Sequence, residues 1–252
     1  MSAIKSFFAA LQFLTFVPVS SRLSGGDLER SNSVIFFPLI GLIIGAAIAS
    51  LDALLNRFIH APLLFSAIAV LSMVVVSRGL HLDGLADTAD GFLSSRSRER
   101  VLEIMRDSRI GAFGALAITS IILLKWSAVA SLDRDIRWPA IALAPVAGRA
   151  SLVFQLALLK NARGTESLAD VFQRKCGPLQ FIFALAVLFA AGWFSAAWLG
   201  LVVAASVFVF VLAFALYCAR KVGGLTGDTL GAGCELAELA ALLAFAIGQE
   251  RC

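Results

Sequence analysis

The chain has 252 residues, of which 60% are hydrophobic and only 15% charged, with a formal net charge of +4 and a mean hydropathy of +0.90. A soluble domain carries about 45–50% apolar and about 25% charged residues, so this composition excludes an ordinary water-soluble fold. The small positive charge is carried beside the apolar runs and does not indicate a nucleic-acid-binding protein.

In chain order, residues 3–18 form a short apolar segment closed by Pro18. It is too short to span and is read as interfacial or re-entrant. Lys5 before it faintly suggests a signal peptide, but no small-residue cleavage pattern follows, and the segment is read as retained. Seven stretches then approach the roughly 20 residues that cross a bilayer core: 33–55, 61–79, 110–131, 138–159, 178–199, 200–219 and 229–248. Between the fifth and sixth only Gly200 punctuates the sequence, so six or eight spans stay open. The reading is an all-α, polytopic helical membrane bundle forming one catalytic domain over 1–252. Residues 1–32 are its N-terminal cytoplasmic or interfacial segment, and 80–109 a long cytoplasmic segment, acidic and then basic.

Alternation of seven spans from a cytoplasmic N-terminus sorts the basic residues strongly. Fifteen of the 21 Lys and Arg fall on the cytoplasmic side, four on the other, and Lys125 and Arg149 inside spans. That asymmetry is what the positive-inside rule expects. Cys176, Cys218, Cys234 and Cys252 form no CxxC pair and match no zinc spacing, so they are read as isolated thiols.

Two acidic groups stand out on the cytoplasmic side. In G-L-H-L-D-G-L-A-D-T-A-D-G-F, residues 79–92, Asp83, Asp87 and Asp90 lie at i, i+4 and i+7. On a helix they share an arc of about 60°. Like charges so spaced repel, and a divalent cation would offset the repulsion. Mg²⁺ suits them, because it takes hard oxygen ligands from one or two carboxylates plus substrate phosphates. In G-G-L-T-G-D-T-L-G-A-G-C-E-L-A-E-L, residues 223–239, Asp228 and Glu235 share a helical face with Glu238 to one side. Glu235 and Glu238 are embedded in an apolar span, where a carboxylate is costly and turns to the bundle interior. The metal-ligand candidates are Asp83, Asp87, Asp90, Asp228 and Glu235.

Basic residues complete the set. Arg106 and Arg109 in R-D-S-R-I-G-A-F-G, residues 106–114, suit bidentate phosphate binding, and Lys160 and Arg163 could do the same. For any single one of these, positive-inside topology is the stronger explanation. Arg149 inside a span should pair with a carboxylate or a substrate phosphate. His81, beside the span end, is a candidate ligand or general base and equally a candidate structural hydrogen-bonder, with Asp90 and Glu238 as other candidate proton acceptors. His60 carries no motif.

Three segments together resemble the cobalamin synthase (adenosylcobinamide-GDP ribazoletransferase) family: H-L-D-G-L-A-D-T-x-D-G at 81–91, R-D-S-R-x-G-x-x-G at 106–114 and T-G-D-x-L-G-A-x-x-E-x-x-E at 226–238. Their order, their spacing and the apolar framework between them extend the resemblance over nearly the whole chain. It departs in one place: where the family often has F-x-T-R-x-P, this chain has Phe13, Thr15, Phe16 and Pro18 without the Arg. The resemblance implies joining of adenosylcobinamide-GDP to α-ribazole or its 5′-phosphate with release of GMP. It also implies Mg²⁺ as cofactor and corrinoid and ribazole substrates. The expected setting is the inner membrane of a prokaryote, with the site facing the cytoplasm. A homo-oligomer or a complex with other corrinoid-assembly enzymes stays open.

Rival readings fit less well. Asp87 stands where the CDP-alcohol phosphotransferase motif has an Arg, and the Asn that often precedes the intramembrane prenyltransferase motif is absent. A secondary transporter with Glu235, Glu238 and Arg149 as a coupling site would often show an inverted repeat, and none is visible.

Overall fold

A computed structural model describes residues 2–59, 61–164 and 168–249, so His60, Arg251 and Cys252 lie outside the described residues. Within them the chain is a bundle of twelve α-helices with a single 3-10 turn at Val34–Phe36. Before the bundle proper come α1 (Ser2–Leu14), α2 (Ser21–Ser24) and α3 (Asp27–Ser33). The bundle then runs α4 (Phe37–Phe58), α5 (Pro62–Val76), α6 (Leu80–Phe92), α7 (Arg98–Ile104), α8 (Ala112–Ala130), α9 (Arg134–Leu158), α10 (Leu168–Gln173), α11 (Pro178–Val222) and α12 (Gly227–Gly248).

The apolar pattern is that of a protein dissolved in lipid. Leu42, Ile43, Leu51, Leu54, Leu116, Leu123, Val202 and Val209 all point outward and are exposed. A water-soluble surface does not present so many large apolar side chains together. Five helices are long and apolar enough to cross a membrane, or six when the bent pair α5–α6 counts as one crossing. Trp126 and Trp138 lie near the ends of α8 and α9 remote from the acidic motifs, and Trp193 and Trp198 flank the break at Ala196 and Ala197 in the middle of α11. Tryptophan favours the membrane–water boundary, so these residues mark one face.

The expected stretch 61–79 is the single helix α5, which ends at Val76 in a sharp bend: α6 sets off at 87° to it, through Arg78 and Gly79 at positive φ. One expected boundary needs correction, because the chain does not divide at Gly200. The break in α11 falls at Ala196 and Ala197, whose backbone is not helical. A Cβ on Gly200 would collide with the carbonyl of Gly192. Eight residues of straight helix would hold those glycines about 12 Å apart. The contact therefore means that α11 doubles back as a hairpin, and Gly200 is where its limbs touch.

Helix α9 is the axis of the bundle. From Pro139 to Leu156 every residue except Ala142 is buried, under α4, α11 and α12. A helix apolar all round belongs in an interior, which is why its sequence lacks a polar stripe. At the α4–α9 crossing a Cβ on Gly45 would strike the Ala142 carbonyl, so glycine there sets the approach. Near the tryptophan face, Arg137 grips both oxygens of buried Asp52 at 2.9 and 2.8 Å and also donates to Ser66 and the Val129 carbonyl. This pair was not anticipated from sequence.

The segments expected on the cytoplasmic side gather at the opposite end. Ser31 donates to the Val171 carbonyl, Arg98 to that of Val222, and the Ala162 amide to that of Leu225. The amphipathic α1 lies there too, too short to span, with Phe16 hydrogen-bonded to the Val76 carbonyl. Substituting Gly45→Val should lower the thermal stability of detergent-purified protein by about 1–3 kcal/mol through overpacking at the α4–α9 crossing. Leu51→Ile on the lipid-facing surface should leave the melting temperature nearly unchanged in the same fluorescence-detected assay.

Candidate active site

Helix α6 brings the first acidic group to the loop-rich end of the bundle, packed closely on α12. A Cβ on Gly84 would stand 2.7 Å from the Asp228 carbonyl oxygen, and one on Gly231 3.0 Å from that of His81. The two glycines let the backbones approach until Asp83 and Asp87 face Asp228 across the seam. Asp87 lies within electrostatic reach of Asp228, Asp83 and Asp90, with Arg163 as the offsetting cation.

The acids divide by what already holds them. Asp83 is exposed and Asp87 half-buried, and neither forms an ion pair among the described residues. Asp228 Oδ2 accepts from Arg163 Nη2 at 2.7 Å, and the same nitrogen lies 3.3 Å from the Met105 carbonyl. Asp90 uses both oxygens on backbone amides: Oδ2 accepts from Gly111 at 2.7 Å and Oδ1 from Gly114 at 2.9 Å. Those are first-turn amides of α8, which have no partner within the helix. Asp90 therefore caps α8 from another helix, with one acceptor site of each oxygen taken by an amide.

A second group lies deeper. Lys125 Nζ donates at 2.6 Å to Glu235 Oε2 and at 2.6 Å to Glu238 Oε2, and Arg149 Nη1 donates to Glu238 Oε1. All four side chains are nearly or fully buried. The expectation that intramembrane Arg149 pairs with an acid agrees with this geometry. Glu235 and Glu238 are brought to Lys125 and Arg149, not to Asp83 and Asp87. Lys125 was seen in sequence only as a charge inside a span. Its position against an acidic pair in a distant helix had no local signal.

Between the tiers sits His81, buried on α6, with Nδ1 3.4 Å from Cys234 Sγ. Its Nε2 is buried without a hydrogen-bond partner, as are Arg149 Nε and Nη2. Of the basic candidates, Arg106 and Lys160 are exposed at this end. Arg109 is engaged with Asp107 at 2.6 Å, and that hydrogen bond holds the exposed Asp107 carboxyl down to about 2. Cys218 is buried and Cys176 half-buried.

Among the described residues, no three His, Cys, Asp or Glu side chains converge tightly enough to bind a metal ion unaided. The donor set nevertheless fits a cation that takes one or two carboxylates and completes its shell with water and phosphate. Asp83 and Asp87 have uncommitted oxygens, and Asp228 faces them.

A polytopic helical membrane protein with aspartates and arginines collected at one end is thus the class that fold and site define. The pattern of the cobalamin-5-phosphate synthase family matches residues 6–246, and the chain belongs to that family. It is similar to the adenosylcobinamide-GDP ribazoletransferase of Klebsiella pneumoniae, 40% identical over 96% of this chain and 99% of that protein. The enzyme of the same description from Thermoanaerobacter sp. strain X514 is 34% identical over 97% of this chain and 98% of its own length. No solved structure matches the chain.

Removing the buried cation by Lys125→Met should destabilise the protein by about 3–5 kcal/mol, because two carboxylates would then share only Arg149. Adding Glu235→Gln to that variant should restore part of the loss. Thermal unfolding of the two single variants and the double variant in one detergent checks this coupling.

Proposed function

We propose that this chain joins adenosylcobinamide-GDP to α-ribazole or α-ribazole 5′-phosphate with release of GMP, a Mg²⁺-assisted phosphoryl transfer at the cytoplasmic face of the membrane. The observation that carries the reading is the set of uncommitted carboxylates Asp83 and Asp87 facing Asp228, in a chain matching the ribazoletransferases along almost its full length. The end bearing these acids also carries most of the Lys and Arg residues, which supports a cytoplasmic orientation.

In this step a ribose hydroxyl oxygen bonds to the phosphorus that carries cobinamide. The bond from that phosphorus to the oxygen of GMP breaks, and the hydroxyl proton passes to a base. Mg²⁺, held by Asp83 and Asp87 with help from Asp228, would neutralise charge on the diphosphate. Arg106 and Lys160, exposed at the same end, would hold phosphate oxygens, as Arg side chains do in pairs of parallel hydrogen bonds. Arg163 would keep Asp228 oriented until the diphosphate competes for the guanidinium.

Of the three candidate proton acceptors, Asp90 is committed to the start of α8 and Glu238 to Lys125 and Arg149. His81 is left. In the tautomer that carries its hydrogen on Nδ1, 3.4 Å from Cys234 Sγ, Nε2 would supply the lone pair that receives the proton.

Purified protein in detergent should release GMP from adenosylcobinamide-GDP plus α-ribazole 5′-phosphate, with chelation of Mg²⁺ abolishing the release. Asp87→Asn should raise the Mg²⁺ concentration needed for half-maximal turnover on the order of tenfold or more. Full turnover of Asp87→Asn at limiting Mg²⁺ would remove the metal assignment.

A further inference from the structure

A cleft of about 160 Å³ opens beside the acidic seam, between α1, α4, α6, α9, α10 and α12. Its two sides differ in chemistry. One carries His81, Asp83 and Asp228. The other is built from Phe13, Phe37 and Phe172 with Leu152 and Leu156 behind them. The three rings form one cluster: Phe13 stacks on Phe37 with centroids 5.8 Å apart, and Phe172 lies 4.5 Å from Phe13 and 5.4 Å from Phe37. Phe37 and Phe172, only 1% and 2% exposed, back this wall, and half-buried Phe13 is the ring that presents surface to the cleft.

We propose that this cleft is the acceptor-base subsite, in which the flat, apolar heterocycle of the ribazole lies against Phe13, backed by Phe37 and Phe172, while its ribose faces His81 and Asp83. The assignment rests on the ribazole-joining reading above. Two independent observations point to a ligand of that mixed character. The first is the unpartnered Nε2 of His81, 3% exposed, on the polar wall. A buried ring nitrogen left unsatisfied is costly, and a ribose hydroxyl supplies the missing partner. The second is the aromatic wall itself, which favours offset or edge-on contact with another flat ring.

Size and polarity select among the reactants. A corrinoid ring system is too large for this volume. Guanine is flat but carries several donors and acceptors along its edges, and the Phe and Leu side chains of the inner wall offer them none. A site of that kind rejects a polar ring by leaving its hydrogen-bonding groups unpaired on burial. An apolar fused ring loses nothing there. The three phenylalanines thereby become specificity-determining residues, contributed by α1, α4 and α10, none of which carries an acidic motif. Leu168, on the rim and 50% exposed, guards the opening.

The test is steady-state GMP release with each substrate varied in turn, for the full-length protein and for Phe172→Ala and Leu168→Trp. Phe172→Ala should raise KM for α-ribazole 5′-phosphate roughly tenfold or more, because the Phe13 ring loses the support that holds it in the wall. Leu168→Trp should raise it in the same direction by filling the opening. In both, KM for adenosylcobinamide-GDP should move less than about twofold, as expected for a contact made to one substrate alone. Both KM values rising together, only the corrinoid value rising, or neither moving would each overturn the subsite. Phe172 is a core residue, so if its alanine variant aggregates, the rim variant decides alone. If the wild-type protein releases no GMP, the ribazole-joining reading falls. Equilibrium dialysis of α-ribazole 5′-phosphate then judges the cleft: binding that Leu168→Trp abolishes keeps the subsite, and absent binding overturns it.

Discussion

Four charges buried at depth in the bundle constrain everything above them. Lys125, Arg149, Glu235 and Glu238 come from α8, α9 and α12, and each alone would be unfavourable in a bilayer core by about 2.5–3.5 kcal/mol. Together they cancel in number and pair at hydrogen-bond distance, with Arg149 Nε and Nη2 left over. Sliding any of the three helices by one turn, about 5.4 Å, would separate charge from countercharge in a medium that cannot solvate it. The cluster therefore fixes the depth of α8 and α12 against α9, whose near-complete burial already fixes its own.

The aspartate tier is built on that fixed frame. With α12 held, Gly84 and Gly231 let α6 lie close enough for Asp83 and Asp87 to face Asp228. With α8 held, its first-turn amides stand where Asp90 can accept from two of them, locking the end of α6 to the start of α8. Arg163, brought in by the loop after α9, completes the link by holding Asp228 and reaching the Met105 carbonyl beyond α7. The acids left uncommitted are thus the ones at the open end, where a water-soluble substrate with phosphate groups can arrive. The acids sealed inside are the ones already neutralised.

Much of this was legible in the sequence. Apolar length gave the helices, the distribution of Lys and Arg gave their common side, and the three motifs gave the family and the acids at the open end. What local pattern could not supply was pairing across helices. Lys125 and Glu235 are 110 residues apart, and nothing beside either names the other. Asp90 sits in register with Asp83 and Asp87, so sequence grouped it with them, yet its carboxylate is used at the start of α8, by the Gly111 amide twenty-one residues later. The hairpin within α11 was legible as two spans meeting at Gly200, but its turn falls a few residues earlier at two alanines, which favour helix, and the glycine that looked like the break is a point of contact. The aromatic wall was hidden for a related reason. Phe13, Phe37 and Phe172 belong to three separate apolar segments, and only the fold makes them neighbours.

The central claim is that the site has two tiers, an aqueous one of aspartates and a dry one of paired charges. Cys234, fully buried beside Glu235, is a natural reporter for the dry tier. The direct measurement is labelling by a water-soluble maleimide in native membranes, on two chains. One has Cys176, Cys218 and Cys252 replaced so that Cys234 is its single thiol, and the other is cysteine-free except for Asp83→Cys. The account predicts rapid labelling at position 83 from the side that carries the basic loops, and none at Cys234 until the protein is denatured. Labelling of Cys234 in the folded protein at a rate comparable to position 83 would mean that water reaches the buried charges, and would contradict it.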